Sequence, residues 1–316
     1  MELVGIARMA AESTLPEAKR QVEYLEMPAR SILNRSKPGM PFQWTINPYR
    51  GCEFGCKYCY ARYTFEFMEM PVTDFEDRIF AKSAAAHLLA QELRRIDRRE
   101  QIAIGTATDP YQPAERRYGR TRSILEVIAR EKGWRLGMVT KSDLATRDID
   151  LLREVARRNV LSIYMTITTL DEKLARLLEP RAPRPALRLE AVRKLSAASL
   201  AVGVTAKPVM PGLTDGERAL DRLGKAAKDA GARSFHGGAV FLTPSALKVF
   251  LPFLERHFPL LAPRYREQFA QSAYLPRAYK DALQVRLQKI RERYGLDVET
   301  LDYKPELWVE EQGELF

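Results

Sequence analysis

Two hydrophobic periods alternate along this chain. Short apolar runs occur at 42–46, 78–82, 101–105, 135–140, 160–168, 200–206 and 232–240. Several are rich in β-branched residues or alternate in polarity, and they read as strands. Between them, apolar positions recur every three to four residues over 83–98, 120–131, 148–157, 171–178, 186–198 and 217–230. These segments predict helices, the first with Leu88, Leu89 and Leu93 as its apolar stripe and Ser83 as its cap. A further helix, aromatic on one face, is expected at 60–70. Pro180, Pro183 and Pro185 forbid one continuous helix across 171–198. Regular alternation of strand and helix implies an α/β fold with parallel strands and right-handed crossovers. About six such units are too few for a closed eightfold barrel, and in barrels of this kind the chemistry lies in the loops after the strands.

The flanks follow a different pattern. Residues 1–41, punctuated by Pro28, Pro38 and Pro41, read as an N-terminal arm on a core of residues 42–242. Residues 243–294 turn helical, aromatic and basic, and residues 295–316 form an acidic tail. The formal charge of +10 is unevenly spread: residues 243–294 hold ten Lys or Arg against four acids, and residues 295–316 one Lys against seven. One reading is a set of solvated helix faces. The other is a surface for nucleic acid, covered in part by the tail. At 316 residues and 46% hydrophobic the chain can bury a core, and it has no apolar run long enough for a membrane span and no signal-like segment. The expectation is a cytoplasmic protein with no membrane partner.

All three cysteines lie within eight residues, as Cys52, Cys56 and Cys59. Three thiolates spaced C-x3-C-x2-C converge on one centre only through a tight loop, and Gly51 and Gly55 supply the backbone freedom it needs. Structural zinc normally takes four ligands and an ordinary four-iron cluster four cysteines, so three leave one metal position open. The alternatives at this point are a nucleic-acid-binding protein whose loop carries zinc, completed by a distant histidine, or a purely structural cluster, and a redox sensor whose exposed iron reports oxygen.

With Tyr58 just before the last cysteine, the loop resembles the signature of the radical S-adenosylmethionine enzymes. In that family three cysteines hold a [4Fe-4S] cluster whose fourth iron is chelated by S-adenosyl-L-methionine, and reductive cleavage of that cofactor yields a 5′-deoxyadenosyl radical that abstracts hydrogen. The motifs Asn47-Pro48-Tyr49-Arg50-Gly51-Cys52, Thr108-Asp109-Pro110-Tyr111-Gln112-Pro113 and Glu179-Pro180-Arg181-Ala182-Pro183 together resemble the branch grouped with spore photoproduct lyase. The resemblance implies a partial (β/α)6 TIM-like barrel with an N-terminal arm and a helical C-terminal extension. It also implies a low-potential electron donor such as flavodoxin or ferredoxin.

The resemblance further suggests which loops meet the cofactor. Thr106, Thr108 and Asp109 stand where the family holds the amino group, and their oxygens can accept from an ammonium. Lys141, Thr168 and Arg181 follow later strands and suit the carboxylate and ribose. Lys207 begins a segment expected along the adenine. The lyase also uses a cysteine outside the cluster loop to return hydrogen to product. This chain has none, leaving Tyr111, Tyr118, Tyr164 and Tyr274 as candidate substitutes. Of the histidines, His236 beside Gly237-Gly238 is the one expected near substrate.

Overall fold

The computed structural model describes residues 22–297, so residues 1–21 and nearly all of the acidic tail lie outside the described residues. Its strands are β1 (Glu23–Met27), β2 (Leu33–Arg35), β3 (Trp44–Ile46), β4 (Tyr49–Arg50), β5 (Arg78–Lys82), β6 (Gln101–Ile104), β7 (Arg135–Thr140), β8 (Val160–Thr166), β9 (Ala201–Val209) and β10 (Ser234–Ala239). The helices are α1 (Tyr63–Glu66), α2 (Ala85–Glu92), α3 (Ala114–Tyr118), α4 (Arg120–Ala129), α5 (Ile149–Arg158), α6 (Glu172–Leu178), α7 (Pro185–Ala197), α8 (Glu217–Asp229), α9 (Pro244–His257), α10 (Ala262–Gln268) and α11 (Arg277–Tyr294).

Seven strands make the main sheet in the order β10-β9-β8-β7-β6-β3-β2. Six of them run parallel, and β2 adds antiparallel to β3 at the edge. The sheet runs from β10 to β2 without closing, which makes a partial (β/α)6 TIM-like barrel. Residues 78–82 form a strand but stand outside this barrel. β5 instead pairs with β1 and β4 in a small sheet, because Tyr49 and Arg50 of the cysteine-loop approach take Ala81 and Phe80 as partners. The segment read as an N-terminal arm thus supplies a strand to each sheet. The aromatic helix expected over 60–70 shortens to a 3-10 turn at Tyr60–Arg62 and the single turn of α1. Ser83 does not cap α2: its hydroxyl donates to the Met27 carbonyl.

Strand alternation sorts the side chains by face. Ile102, Ile104, Leu136, Met138, Ile163, Met165, Val202, Val204 and Phe235 join the core shared with the surrounding helices. The intervening positions, Ala103, Gly137, Ser162, Tyr164, Gly203, Thr205, Lys207 and His236, turn to the concave side. Leu283, Leu287 and Ile290 of α11 belong to the same core, so the last helix covers β10. Burial of each such aliphatic side chain contributes about 1.5–3 kcal/mol. A second core gathers Phe54, Tyr58, Phe65, Leu178, Phe250, Phe253 and Tyr265, so α9 and α10 pack round the cysteine loop.

Candidate active site

The loop after β3 is built from backbone hydrogen bonds. Asn47 starts it, its side chain donating to the Thr106 hydroxyl at 3.2 Å and accepting from the Ala107 amide at 2.7 Å. Gly51 then turns with φ +76°, where a Cβ would stand 2.3 Å from the Arg78 carbonyl oxygen. No other residue fits there without moving β5. The Cys52 amide donates to the Phe75 carbonyl, Gly55 to Cys52, Cys59 to Cys56 and Lys57 to Leu178. Cys52 and Cys56 are buried, and Cys59 is half-buried. Burial pushes all three thiols up, that of Cys56 to about 12. Thiolates form here only when a cation replaces the protons.

Beneath the loop lies a buried charged network. The Tyr58 hydroxyl donates to the Glu179 carboxylate, which also accepts from Thr168 Oγ1 at 3.2 Å and pairs with Arg188 Nη2 at 2.5 Å. Arg188 spends its remaining donors on the Pro183 and Thr166 carbonyls, at 2.7 and 3.1 Å. Burial opposes ionisation of Glu179, but Arg188, Lys141 and the Tyr58 hydrogen bond outweigh it, and the carboxyl titrates below its ordinary value. Arg62, fully buried, pairs with Glu76 at 2.5 Å and donates to the Val72 and Cys56 carbonyls.

Several residues expected at the cofactor are committed to this scaffold. Thr108 donates to the Gly51 carbonyl at 2.7 Å, and Gln112 donates to the same oxygen at 3.1 Å. Asp109 accepts from Thr140 Oγ1 and from the Tyr111 and Lys141 amides at 2.7–2.9 Å. Burial nonetheless raises its carboxyl above the ordinary range. Arg181 pairs with Asp77 at 2.8 Å and donates to the Glu76 carbonyl. It lines a cleft of about 320 Å³ with Phe54, Arg116, Arg176 and Arg184. Thr168 and Tyr58 serve Glu179. Lys141 is different: its ammonium lies 5.8 Å from the Tyr58 ring centroid, close enough to Cys56 and Glu179 to feel both. Thr106 is half-buried, its carbonyl accepting from the Tyr60 hydroxyl.

The concave face carries the rest. Tyr164 fills the lower interior, packed edge-on against His236 with ring centroids 5.6 Å apart. It fits because β9 and β7 present glycines there: a Cβ at Gly203 would lie 3.1 Å from its ring and 2.3 Å from Ser234 Oγ. Above it, Thr205 is in register with Thr166 on one side and His236 on the other. The hydroxyls of Ser162, Thr205 and Ser234 are buried with no hydrogen-bond partner among the described residues. Lys207 keeps solvent access, yet the barrel wall holds its ammonium below the ordinary lysine range. Burial, then Lys207 and Arg291, push the His236 imidazole down to about 4, so it is neutral at pH 7. Of the other tyrosines, Tyr111 is buried in the core, Tyr118 packs on Tyr24, and Tyr274 is at the surface.

Among the described residues, no three His, Cys, Asp or Glu side chains are gathered round a single ion. A tetrahedral zinc would require sulfurs about 3.8 Å apart, from its bond length of about 2.3 Å. The histidines are placed elsewhere: His87 bonds Gln91, His236 packs on Tyr164, and His257 packs on Phe253. Three cysteines on one buried loop with no fourth cysteine in the chain fit an iron–sulfur cluster that leaves one iron free.

An open parallel α/β barrel with a three-cysteine loop after its first parallel strand defines the class. The chain belongs to the radical SAM superfamily, whose family model matches residues 46–223. It is therefore an enzyme, of a superfamily whose cofactors are a [4Fe-4S] cluster and S-adenosyl-L-methionine. An uncharacterized protein of Mycobacterium tuberculosis is 36% identical over 279 residues, covering 87% of this chain and 82% of the relative. One of Methanocaldococcus jannaschii is 26% identical over 244 residues, or 76% and 85%. Among solved structures, a mutant of spore photoproduct lyase matches with TM-score 0.66 at 17% identity, over 86% of this chain and 79% of that one. At that identity the likeness is one of fold. Among the described residues, no helix is long and apolar enough to cross a membrane.

Glu179, Arg188, Arg62 and Gln112 are the site residues that sequence reasoning passed over. Arg188 left a signal, since it stands on the buried stripe of α7 with Pro185, Ala191, Val192 and Leu195. A charge on an apolar stripe calls for a buried partner.

Proposed function

We propose that Cys52, Cys56 and Cys59 hold the cluster, and that the enzyme abstracts hydrogen from a nucleic-acid substrate presented at the barrel mouth. The observation that carries the cofactor assignment is the single buried loop holding every cysteine of the chain, with one ligand fewer than a closed site needs. When bound, the cluster and S-adenosylmethionine supply one-electron cleavage of a C–S bond, driven by a low-potential donor such as flavodoxin or ferredoxin.

The chain's own residues hold and orient. Lys141 supplies the cation for the cofactor's carboxylate, Thr106 a hydroxyl and carbonyl for its amino group, and Lys207 flanks the adenine. Tyr58, Thr108, Asp109, Thr168 and Arg181 act as positioning residues that fix the loop beneath them. Neutral His236 and the Thr205 hydroxyl offer hydrogen bonds to substrate. Tyr164 stands on the concave face, the tyrosine best placed to serve a product in want of hydrogen.

Nucleic acid as substrate is supported by the excess of six positive charges over residues 243–294 and by the shared fold with spore photoproduct lyase, solved with a dinucleoside spore photoproduct. Anaerobic reconstitution with iron and sulfide is expected to give a brown protein that forms 5′-deoxyadenosine when reduced with S-adenosylmethionine present. Stoichiometric zinc in the native protein, or a fully loaded cluster that yields no 5′-deoxyadenosine, would overturn the cofactor assignment. Affinity for nucleic acid that does not fall with salt would remove the substrate assignment.

A further inference from the structure

Five aromatic rings run in contact from the cysteine loop to the surface. Tyr60 directly follows Cys59, and its hydroxyl is tied to the Thr106 carbonyl at the end of β6. On one side its ring stacks on Tyr63 at 6.4 Å, and Tyr63 meets Phe67 at 5.6 Å. On the other side it meets Phe241 at 5.0 Å, and Phe241 stacks on Tyr274 at 5.5 Å with planes 13° apart. The backbone holds this last pair together, since Phe241 and Tyr274 form an isolated antiparallel bridge just beyond β10. Both ends of the row are open to solvent, Phe67 at 79% and Tyr274 at 59% exposure. Internal packing therefore does not account for the terminal rings, more than half of whose surface remains in water at a cost that a bound partner would remove.

Charge decides the partner. Lys280 sits over the Tyr274 ring at 5.9 Å, and Arg277, one helical turn before it, is 90% exposed and paired at 3.5 Å with the exposed Asp281. Both belong to the segment with six excess positive charges. An exposed aromatic ring with a cation over it, on a segment of excess positive charge, suits flat apolar rings strung on a polyanion, which is the chemistry of an unpaired nucleic-acid strand. A base-paired duplex offers phosphates but keeps its base faces stacked inside.

We infer that Tyr274, with Phe241 and Tyr60 behind it, is a stacking platform for unpaired bases that leads a single strand toward the cysteine loop. This rests on the nucleic-acid reading of the substrate and narrows it to single-stranded or flipped-out bases. The test is fluorescence anisotropy of the reconstituted full chain with a labelled 12-nucleotide oligothymidylate and with a hairpin duplex of equal charge. Wild type is expected to prefer the single strand. Tyr274→Ala should weaken single-strand binding by about 5- to 150-fold, the usual range for losing one base–aromatic stack. Tyr274→Trp should retain or tighten it, and Lys280→Ala should reduce the log–log salt slope by about 0.7.

Equal affinity of wild type and Tyr274→Ala, with both folded by circular dichroism, would overturn the platform while leaving the nucleic-acid reading in place. If wild type bound neither oligonucleotide at low salt, both would fall. Dimerisation lost in Tyr274→Ala with unchanged oligonucleotide binding would assign the exposed rings to contact with a second copy and overturn the proposal.

Discussion

Replacing Arg188 by methionine tests whether the charges beneath the cysteine loop are a coupled unit. Arg188 is 1% exposed and Glu179 1% exposed, and their ion pair spans 2.5 Å. Truncating one partner of such a pair leaves the other charge buried, which costs about 3–5 kcal/mol. The Pro183 and Thr166 carbonyls lose their donors as well, while Lys141 retains part of the compensation for Glu179. The estimate stays near the middle of that range. For a chain of 316 residues it corresponds to a fall in melting temperature of about 6 °C.

Urea and thermal unfolding of the metal-free protein, followed by circular dichroism, read the loss directly. Glu179→Gln should also destabilise, and the double variant by clearly less than the sum, with a coupling of about 2–3 kcal/mol. The pH dependence adds a second readout. In wild type the Glu179 carboxyl is held low, so its contribution is complete above the ordinary carboxylate range and is lost as pH falls through the depressed value. In Arg188→Met burial prevails and raises that carboxyl, so the folded state then takes up the proton more readily and the variant should regain stability on acidification to about pH 5. Single losses that add within about 0.5 kcal/mol, or an Arg188→Met protein as stable as wild type, would refute the coupled network.

Three further outcomes follow from the same geometry. Gly51→Ala forces a Cβ to within 2.3 Å of the Arg78 carbonyl at a positive φ, so it should cost about 2 kcal/mol or more and lower iron bound per chain on reconstitution. Cys56→Ser should abolish the cluster's visible absorbance with little change in the far-ultraviolet circular dichroism, because the loop is held by backbone bonds and not by the thiols. His236 is held near 4 when folded but titrates near its ordinary value when unfolded, so stability should be full above about pH 6.5 and decline toward pH 4. Allowing for the partial exposure of the ring, the decline amounts to at most about 2 kcal/mol, and His236→Asn should flatten it in acid-range unfolding curves.

The periodicity of the sequence reveals elements better than it reveals their neighbours. Val160–Thr166 and Ala201–Val209 are visible as β-branched runs. Residues 78–82 look the same, yet join another sheet, because pairing with Tyr49 and Arg50 is a long-range choice that local pattern does not encode. The site divides in a similar way. Cysteine spacing exposes the metal loop, since few other arrangements put three thiols in eight residues. Residue type alone does not say which way a hydroxyl or carboxylate points. Thr108, Asp109, Thr168 and Arg181 have the chemistry to bind a zwitterion, and the fold also gives each of them partners in the chain's own backbone and charges. Glu179 opens the Glu179-Pro180-Arg181-Ala182-Pro183 motif, but its partner Arg188 stands nine residues on in another helix, and only the fold brings them together.

That internal commitment bears on where substrate sits. The loop's underside is largely committed: the Gly51 and Cys56 carbonyls accept from Gln112 and Arg62, and Glu76 and Glu179 are ion-paired with Arg62 and Arg188. The lower barrel is filled too, since Tyr164 lies over Gly137 and Gly203 and any side chain at Gly203 would collide with Ser234. On the upper concave face the Thr205 hydroxyl is buried with no hydrogen-bond partner among the described residues, and burial holds the Lys207 ammonium below its ordinary range. A buried hydroxyl without a hydrogen bond costs about 1–3 kcal/mol, which a bound molecule recovers on arrival. A substrate that reaches Thr205 and His236, which are in register on β9 and β10, would lie beside the cofactor that Lys207 flanks, on the side where the family's strands end in chemistry.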